Sequence, residues 1–297
     1  MDWANIQEDQ QTLSIKFVRQ NHSYMRPLDA AKYTIQYITK KYPPPYTLYL
    51  SGGTDSQAML YSWIQSGVPF ETFSAVFNNN LNAHDLDTLE QFSKIYNVKI
   101  NYFDFDILNF LETDLKGIIE KYYCGSPQIA AHIKMASMTD QGTVIFSGNF
   151  ITYNNSAVPV TANHAALLRY KIVDKKNIIP WFFLETEELA FSFYPQSEII
   201  CNTPLEKKNK DYGLKNLYDS KNYLYRYYDF PIIPQSKKLT GFEMVKDYID
   251  QHPPRKPTVS EIMTKLYDQP SKRLFDLLYR NKYEVMCSRF YKIEMEK

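Results

Sequence analysis

Residues 47–56 read Thr-Leu-Tyr-Leu-Ser-Gly-Gly-Thr-Asp-Ser, and no other stretch limits the folds open to the chain as tightly. A short apolar run meets two glycines, then a hydroxyl and an acid, and continues into Gln57-Ala58-Met59-Leu60-Tyr61-Ser62-Trp63-Ile64. This predicts a strand, a tight loop and a helix. The glycines let the backbone turn sharply and bring several N–H groups to bear on one point. A helix beginning near Ser56 aims its positive end at the same point. Such a pocket selects an anion, and Asp55 beside it is placed to hold the Mg²⁺ that accompanies a polyphosphate. A Walker-type loop is excluded because no Lys follows Gly53, and the pattern is not the dinucleotide G-x-G-x-x-G.

Around this loop the sequence alternates strand and helix. Leu13–Val18 alternates like a short strand, and Pro27 opens a helix with Leu28, Ala31, Ile35 and Ile38 on one face. Pro43-Pro44-Pro45 ends it. A second strand is expected at 72–77, a helix at 85–96 with Leu86, Leu89, Phe92 and Ile95 together, and a third strand at 98–105. Helices near 107–123 and 127–139 precede the apolar strand 143–146. This order predicts an α/β fold with a parallel sheet and helices on both faces. Ligands on such sheets sit at the carboxyl ends of the strands, where Ser51–Ser56 and Ser147-Gly148-Asn149 both fall.

At 297 residues the chain can bury one α/β domain plus a smaller appendage. The expected division is a nucleotide-binding domain with an N-terminal extension over 1–204 and a mostly helical region over 205–297 that completes the site. Glu206–Asp211 reads as a polar surface loop, and Thr258 with Glu261 has capping-box spacing ahead of a terminal helix. A hydrophobic content of 44% and the lack of a signal-like start or a long apolar run predict a soluble, cytoplasmic protein. Cys124, Cys201 and Cys287 are odd in number and far apart, which suits reduced thiols and offers no zinc or dithiol pair. From Cys201 onward 19 Lys and Arg face 13 Asp and Glu, against 15 and 20 before it. That basic C-terminal part suits a phosphate-rich ligand and is too modest to indicate nucleic acid.

Four further features bear on chemistry. Ser147-Gly148-Asn149 reads either as a plain strand-ending turn or as a second backbone cradle facing the nucleotide. Residues 179–190 read mainly as core aromatics followed by an acidic helix start. Lys237-Lys238, ahead of Leu239-Thr240-Gly241-Phe242, is either a solvated face or a cation pair that stabilises a departing pyrophosphate. Arg226 is a weaker candidate for that role. The five histidines have no metal-ligand spacing, and His84-Asp85 reads as helix capping in preference to substrate contact.

The loop resembles the S-G-G-x-D-S signature of the PP-loop ATP pyrophosphatases, with all five fixed positions matched after a strand. That family cleaves ATP between its α- and β-phosphates. Over roughly residues 27–250 the order of features is similar to the synthetase domain of asparagine synthetase and β-lactam synthetase. Val144–Asn149 stands where those enzymes carry S-G-E-G-x-D-E, and Pro180–Glu185 where they carry P-F-L-D. Lys221–Arg226, Pro234 and Lys237–Phe242 echo their K-x-x-L-R, proline and R-x-K-x-x-F. Two departures are plain. Asn149–Thr152 supplies no second acidic metal ligand, and there is no glutaminase domain with an N-terminal cysteine. The cysteine clusters of queuosine-pathway and tRNA-thiolating relatives are absent as well.

The resemblance implies ATP and Mg²⁺ as cofactors and a ligase that activates a carboxylate as its adenylate for attack by an amine or ammonia. The nitrogen would be a free substrate or come from a separate amidotransferase. Ser51, Gly52, Gly53, Thr54, Asp55 and Ser56 would cradle the phosphates, Asp55 would hold the metal, and Lys237 or Lys238 would stabilise pyrophosphate. Val76, Phe77, Gly148 and Asn149 would border the nucleotide. A superfamily enzyme modifying a nucleobase in tRNA or DNA, and a nucleotide-binding regulator without turnover, are the alternatives.

Overall fold

The computed structural model describes residues 1–9, 12–20, 23–153, 160–204, 217–233, 242–253, 274–280, 287 and 289–296. Its centre is β3 (Tyr46–Tyr49), four residues buried without exception. β3 pairs in parallel with β4 (Glu71–Phe77) on one side and β6 (Thr143–Ile145) on the other, so that Leu48 lies between Thr72 and Ile145. β5 (Asn101–Phe105) and β7 (Ile178–Ile179) extend the sheet outward, again in parallel, giving the order β5-β4-β3-β6-β7. The expected parallel α/β fold is therefore present.

Both faces of the sheet are covered, and the period of two in the strand decides which residue meets which layer. Tyr46, Leu48 and Leu50 join one apolar cluster with α1 (Pro27–Lys41), α2 (Thr54–Ser66) and α3 (Ala83–Tyr96). Tyr49, one residue out of phase, joins the other with α5 (Leu115–Tyr122), α6 (Pro127–Ser137) and α7 (Ala162–Val173). Met59, Leu60 and Trp63 on α2 are fully buried. Burial of this kind stabilises by roughly 1.5–3 kcal/mol for an aliphatic side chain.

Local signals explain most element ends. Pro27 sits in the first turn of α1, where its missing N–H leaves no bond unmade. Gly67 ends α2 at φ 70°, a left-handed cap that a residue with a Cβ resists. Ser126 caps α6 by accepting from the Ile129 N–H. Three expectations need correction. The helix near 107–123 is two, α4 (Ile107–Thr113) and α5, which meet at Asp114. The third strand begins at Asn101 instead of Val98. On α3, Leu89 and Phe92 face the core but Ile95 is 63% exposed, because the buried stripe is narrower than the apolar spacing suggested.

A second sheet has the order β1-β2-β8. β2 (Leu13–Val18), the alternating strand of the N-terminal segment, buries Leu13, Ile15 and Phe17. It pairs antiparallel with β1 (Ala4–Glu8) and parallel with β8 (Tyr291–Glu296). The expected loop at 206–211 and the helix signalled by Thr258 and Glu261 lie outside the described residues. Two further helices follow α8 (Glu187–Ala190) and α9 (Tyr194–Asn202) and matter for the site: α10 (Leu217–Tyr227) and α11 (Phe242–Gln251). Among the described residues no helix is long and apolar enough to cross a membrane.

Candidate functional site

The strand order runs outward in both directions from β3 and β6, so the connections leaving these two strands part from each other. A crevice opens at their carboxyl ends, the position at which open parallel sheets bind ligands. A cleft of about 250 Å³ lies there. Ser51, Gly53, Thr54 and Asp55 line it from the end of β3, and Ser147, Gly148 and Asn149 from the end of β6. Phe77 borders it, as do His132 on α6 and His164 on α7.

The loop between β3 and α2 turns at Gly52, whose φ is 76°. A Cβ there would lie 2.3 Å from the Asp85 carbonyl oxygen, far inside van der Waals contact, so the glycine is required both by conformation and by space. α2 then starts at Thr54 with Gly53 as its N-cap and no side-chain cap. The first N–H groups of a helix have no acceptor inside it. Left uncapped at the cleft wall, they offer donors and a partial positive charge to an anion. Gly148 turns at φ 64° against Trp181, and a Cβ there would come within 2.7 Å of the indole's own Cβ. The second loop thereby brings its backbone close to the cleft wall.

The C-terminal part of the chain closes onto this loop through α10. Lys221 Nζ donates to Asp55 Oδ2 at 2.5 Å and to Asn149 Oδ1 at 2.8 Å. Tyr225 Oη donates to Asp55 Oδ1 at 2.6 Å. Lys221 and Tyr225 are four residues apart, hence neighbours on one helix face. The lysine joins the ends of β3 and β6 and sits 5.4 Å from the centre of the Phe150 ring. A second tether holds the same region. Gln57, fully buried, donates to the Gly52 carbonyl at 2.9 Å and accepts from the Ile233 N–H at 2.7 Å. The main chain that leads toward residue 234 is thus fastened to the loop's own helix.

Not every expected residue faces the cleft. Ser56 is buried and spends its hydroxyl on the Gly53 carbonyl, 2.8 Å away. Val76 is half-buried and absent from the lining, while Ser74, Ala75 and Phe77 of the same strand are part of it. Arg226 is exposed; the cation that α10 puts into the cleft is Lys221. Lys237 and Lys238 lie outside the described residues. Lys221, Tyr225 and Gln57 were not singled out as site residues by sequence reasoning. The signals available were the Lys221–Arg226 echo of K-x-x-L-R and the i, i+4 spacing of Lys221 with Tyr225, and the spacing means nothing until α10 is known to cross the loop.

Three titratable groups lining the cleft are shifted, Tyr49 among them, raised by burial. Desolvation, with His164 adding to it, lowers His132 to about 4, and its ring stacks on Phe146 at 5.2 Å. It is a neutral imidazole at ordinary pH. Burial, with the charge of Glu243 behind it, pushes the Asp85 carboxyl up to about 8. Among the described residues no group of three acidic, histidine or cysteine side chains could hold a metal ion alone. Asp55 accepts one hydrogen bond on each oxygen, and an ionised carboxylate has about four acceptor sites. It therefore retains acceptor positions that these two bonds leave unused.

No family model matches the sequence, and no curated protein does. Among solved structures the chain is similar to an NMN synthetase from Francisella tularensis, at 13% identity and a TM-score of 0.34 over 77% of this chain and 95% of that one. It is similar to the U34-tRNA thiolase NcsA from Methanococcus maripaludis, whose structure includes a [4Fe-4S] cluster, at 14% and 0.33 over 84% and 80%. A glutamine-dependent NAD⁺ synthetase from Acinetobacter baumannii, in complex with ADP, gives 12% and 0.35 over 79% of this chain and 46% of that one.

Proposed function

We propose that the chain is an ATP-dependent ligase of the PP-loop type, which forms AMP and pyrophosphate. One observation carries this: the Ser51–Asp55 loop ends the central strand at the crevice, with an uncapped helix N-terminus and a lysine from α10 converging on it. The substrate carboxylate attacks the α-phosphorus of ATP, and the bond from that phosphorus to the bridging oxygen breaks, releasing pyrophosphate. An amine or ammonia then attacks the acyl carbon of the adenylate and AMP leaves.

The chain's own residues act by holding and by charge. Backbone N–H groups at 52–55 bind phosphate oxygens, and Gly148 with Asn149 borders the nucleotide. Lys221 supplies positive charge where pyrophosphate departs, an effect that grows as water is excluded; the sequence resemblance gives that role to Lys237 or Lys238 as well. Asp55 would hold Mg²⁺, which when bound neutralises phosphate charge. Most of the acceleration is then positioning and electrostatics, as in phosphoryl transfer generally. Mass spectrometry of ATP incubated with Mg²⁺ and a panel of carboxylic acids and amines tests it. AMP with a mass gain in one acid is expected; ADP as the product would overturn the assignment.

A further inference from the structure

The proposed chemistry uses one end of the cleft, and the charges gather there. Among the described residues that line it, the charged side chains are Asp55, Lys221 and Asp85. The first two are bonded to each other, and the Asp85 carbonyl packs against Gly52. The wall made by α6 is of another kind: it contributes Gln128, Ile129, His132 and Met135 and no charge. Gln128 and His132 stand one turn apart on the same helix face, and Ser126 with Pro127 fixes where that helix begins. Both are half-buried, and among the described residues neither side chain makes a hydrogen bond. The His132 ring, neutral at ordinary pH, stacks on Phe146 at 5.2 Å, and Phe146 stacks on Tyr49 at 5.3 Å. Three rings of the cleft lining thus stand in file.

A primary amide offers an N–H donor beside a carbonyl acceptor in one plane, and a neutral imidazole offers one of each. Their complement is an uncharged edge with an acceptor beside a donor. An ionised group would meet no opposite charge on this wall and would lose its water without compensation. A flat ring continues the file of aromatic faces, which an alkyl chain does not match. We propose that Gln128 and His132 form the specificity subsite for the acid substrate, and that this acid is carried on a planar heterocycle whose ring has an N–H beside a carbonyl. Gln128 makes two hydrogen bonds to that pair, and His132 adds a third at the ring edge. The carboxylate points back along the cleft toward Ser51–Asp55. The cleft is thereby charged where bonds change and neutral where the substrate is chosen.

The subsite rests on the ligase reading above, but binding is measured without turnover. Isothermal titration calorimetry is run on the full chain saturated with Mg²⁺ and α,β-methylene-ATP, whose carbon bridge blocks cleavage. Uracil-5-carboxylate and benzoate are the two probes. They share ring size and carboxylate, and only the first has ring N–H and carbonyl groups. The parent chain should bind uracil-5-carboxylate about tenfold tighter or more, the discrimination that a bidentate amide contact provides. Gln128→Leu should bring that preference down to about one. His132→Phe, which keeps a stacking ring and removes both nitrogens, should lower it about threefold.

Equal affinity for the two acids in the parent chain would overturn the subsite, as would no measurable binding of uracil-5-carboxylate. So would a Gln128→Leu chain that keeps the preference, or one that loses both acids equally, since that loss marks a structural role. A preference seen only when the ATP analogue is left out would place adenine against α6 and overturn it too. A Gln128-dependent preference with ADP as the product of turnover removes the ligase alone; AMP formation from an acid whose binding ignores Gln128 removes the subsite alone.

Discussion

Single residues carry much of the cleft's geometry, and two glycines make this measurable. Gly52→Ala must place a side chain at φ 76° and 2.3 Å from the Asp85 carbonyl oxygen. Strain of this kind costs about 1–3 kcal/mol before any clash. The expected result is a lower urea midpoint and lost retention on immobilised ATP, with Gly67→Ala, which meets nothing within 4 Å, as the comparison that keeps binding. Lys221→Met should lower turnover by roughly 10²–10³, the usual effect of deleting a preorganised electrostatic contact. Pyrophosphate release under saturating ATP reads this directly.

Asp85 and His132 give stability opposite slopes with pH. Folded Asp85 titrates near 8 and the unfolded residue near 4, so between about pH 4 and 8 unfolding releases its proton and stability falls as pH rises. Folded His132 titrates near 4 and the unfolded residue near 6.5, so its contribution is lost as pH falls from about 6.5 to 4. Urea denaturation across pH 4–9 should show Asp85→Asn removing part of the decline above pH 6.5, and His132→Gln removing part of the acid-side loss.

Among elements, the relation of α10 to the loop matters most. α2 follows from its own sequence: two glycines before it, apolar residues along it and a glycine after it. α10 contributes Lys221 and Tyr225 only because its packing lays that face across Asp55. Gln57 is the corresponding anchor from the α2 side. Gln57→Ala removes the acceptor of the Ile233 N–H, and an unpaired buried group costs about 1–3 kcal/mol. Chemical denaturation should register that loss, and the KM for ATP should rise because the segment after Tyr225 is no longer held. If stability drops with KM unchanged, Gln57 is structural and positions nothing. The break between α4 and α5 shows the converse. A continuous helical pattern was legible over 107–123, but the interruption at Asp114 was not, since that residue is acceptable inside a helix and at its end.

For the whole molecule, the two ends of the chain meet in one sheet. β8 lies along β2 in parallel, with Tyr291 opposite Leu13 and buried. Arg169 on α7 joins them: it contacts Glu8 of β1 and its guanidinium lies over the Tyr123 and Phe290 rings at 4.8 and 4.5 Å. A chain ending at residue 290 should lose a buried aromatic and bare an edge of β2. Its melting temperature should fall by about 5 °C or more, as circular dichroism at a fixed heating rate would show.

The amino-acid sequence by itself determined the strand–loop–helix at 47–66, the parallel α/β alternation through 146 and the two strand ends that flank the crevice. Each is a short-range pattern: apolar runs, turn glycines and caps act within a few residues, so their physics is written locally. Only the tertiary structure decided that β8 completes the sheet of β1 and β2, and that Lys221, and not Arg226, reaches Asp55. It also decided that Asp85 turns into the cleft when its sequence position suggested a surface cap. Those outcomes depend on contacts between residues more than a hundred positions apart, or on which face of a helix happens to pack. No local spacing encodes either one.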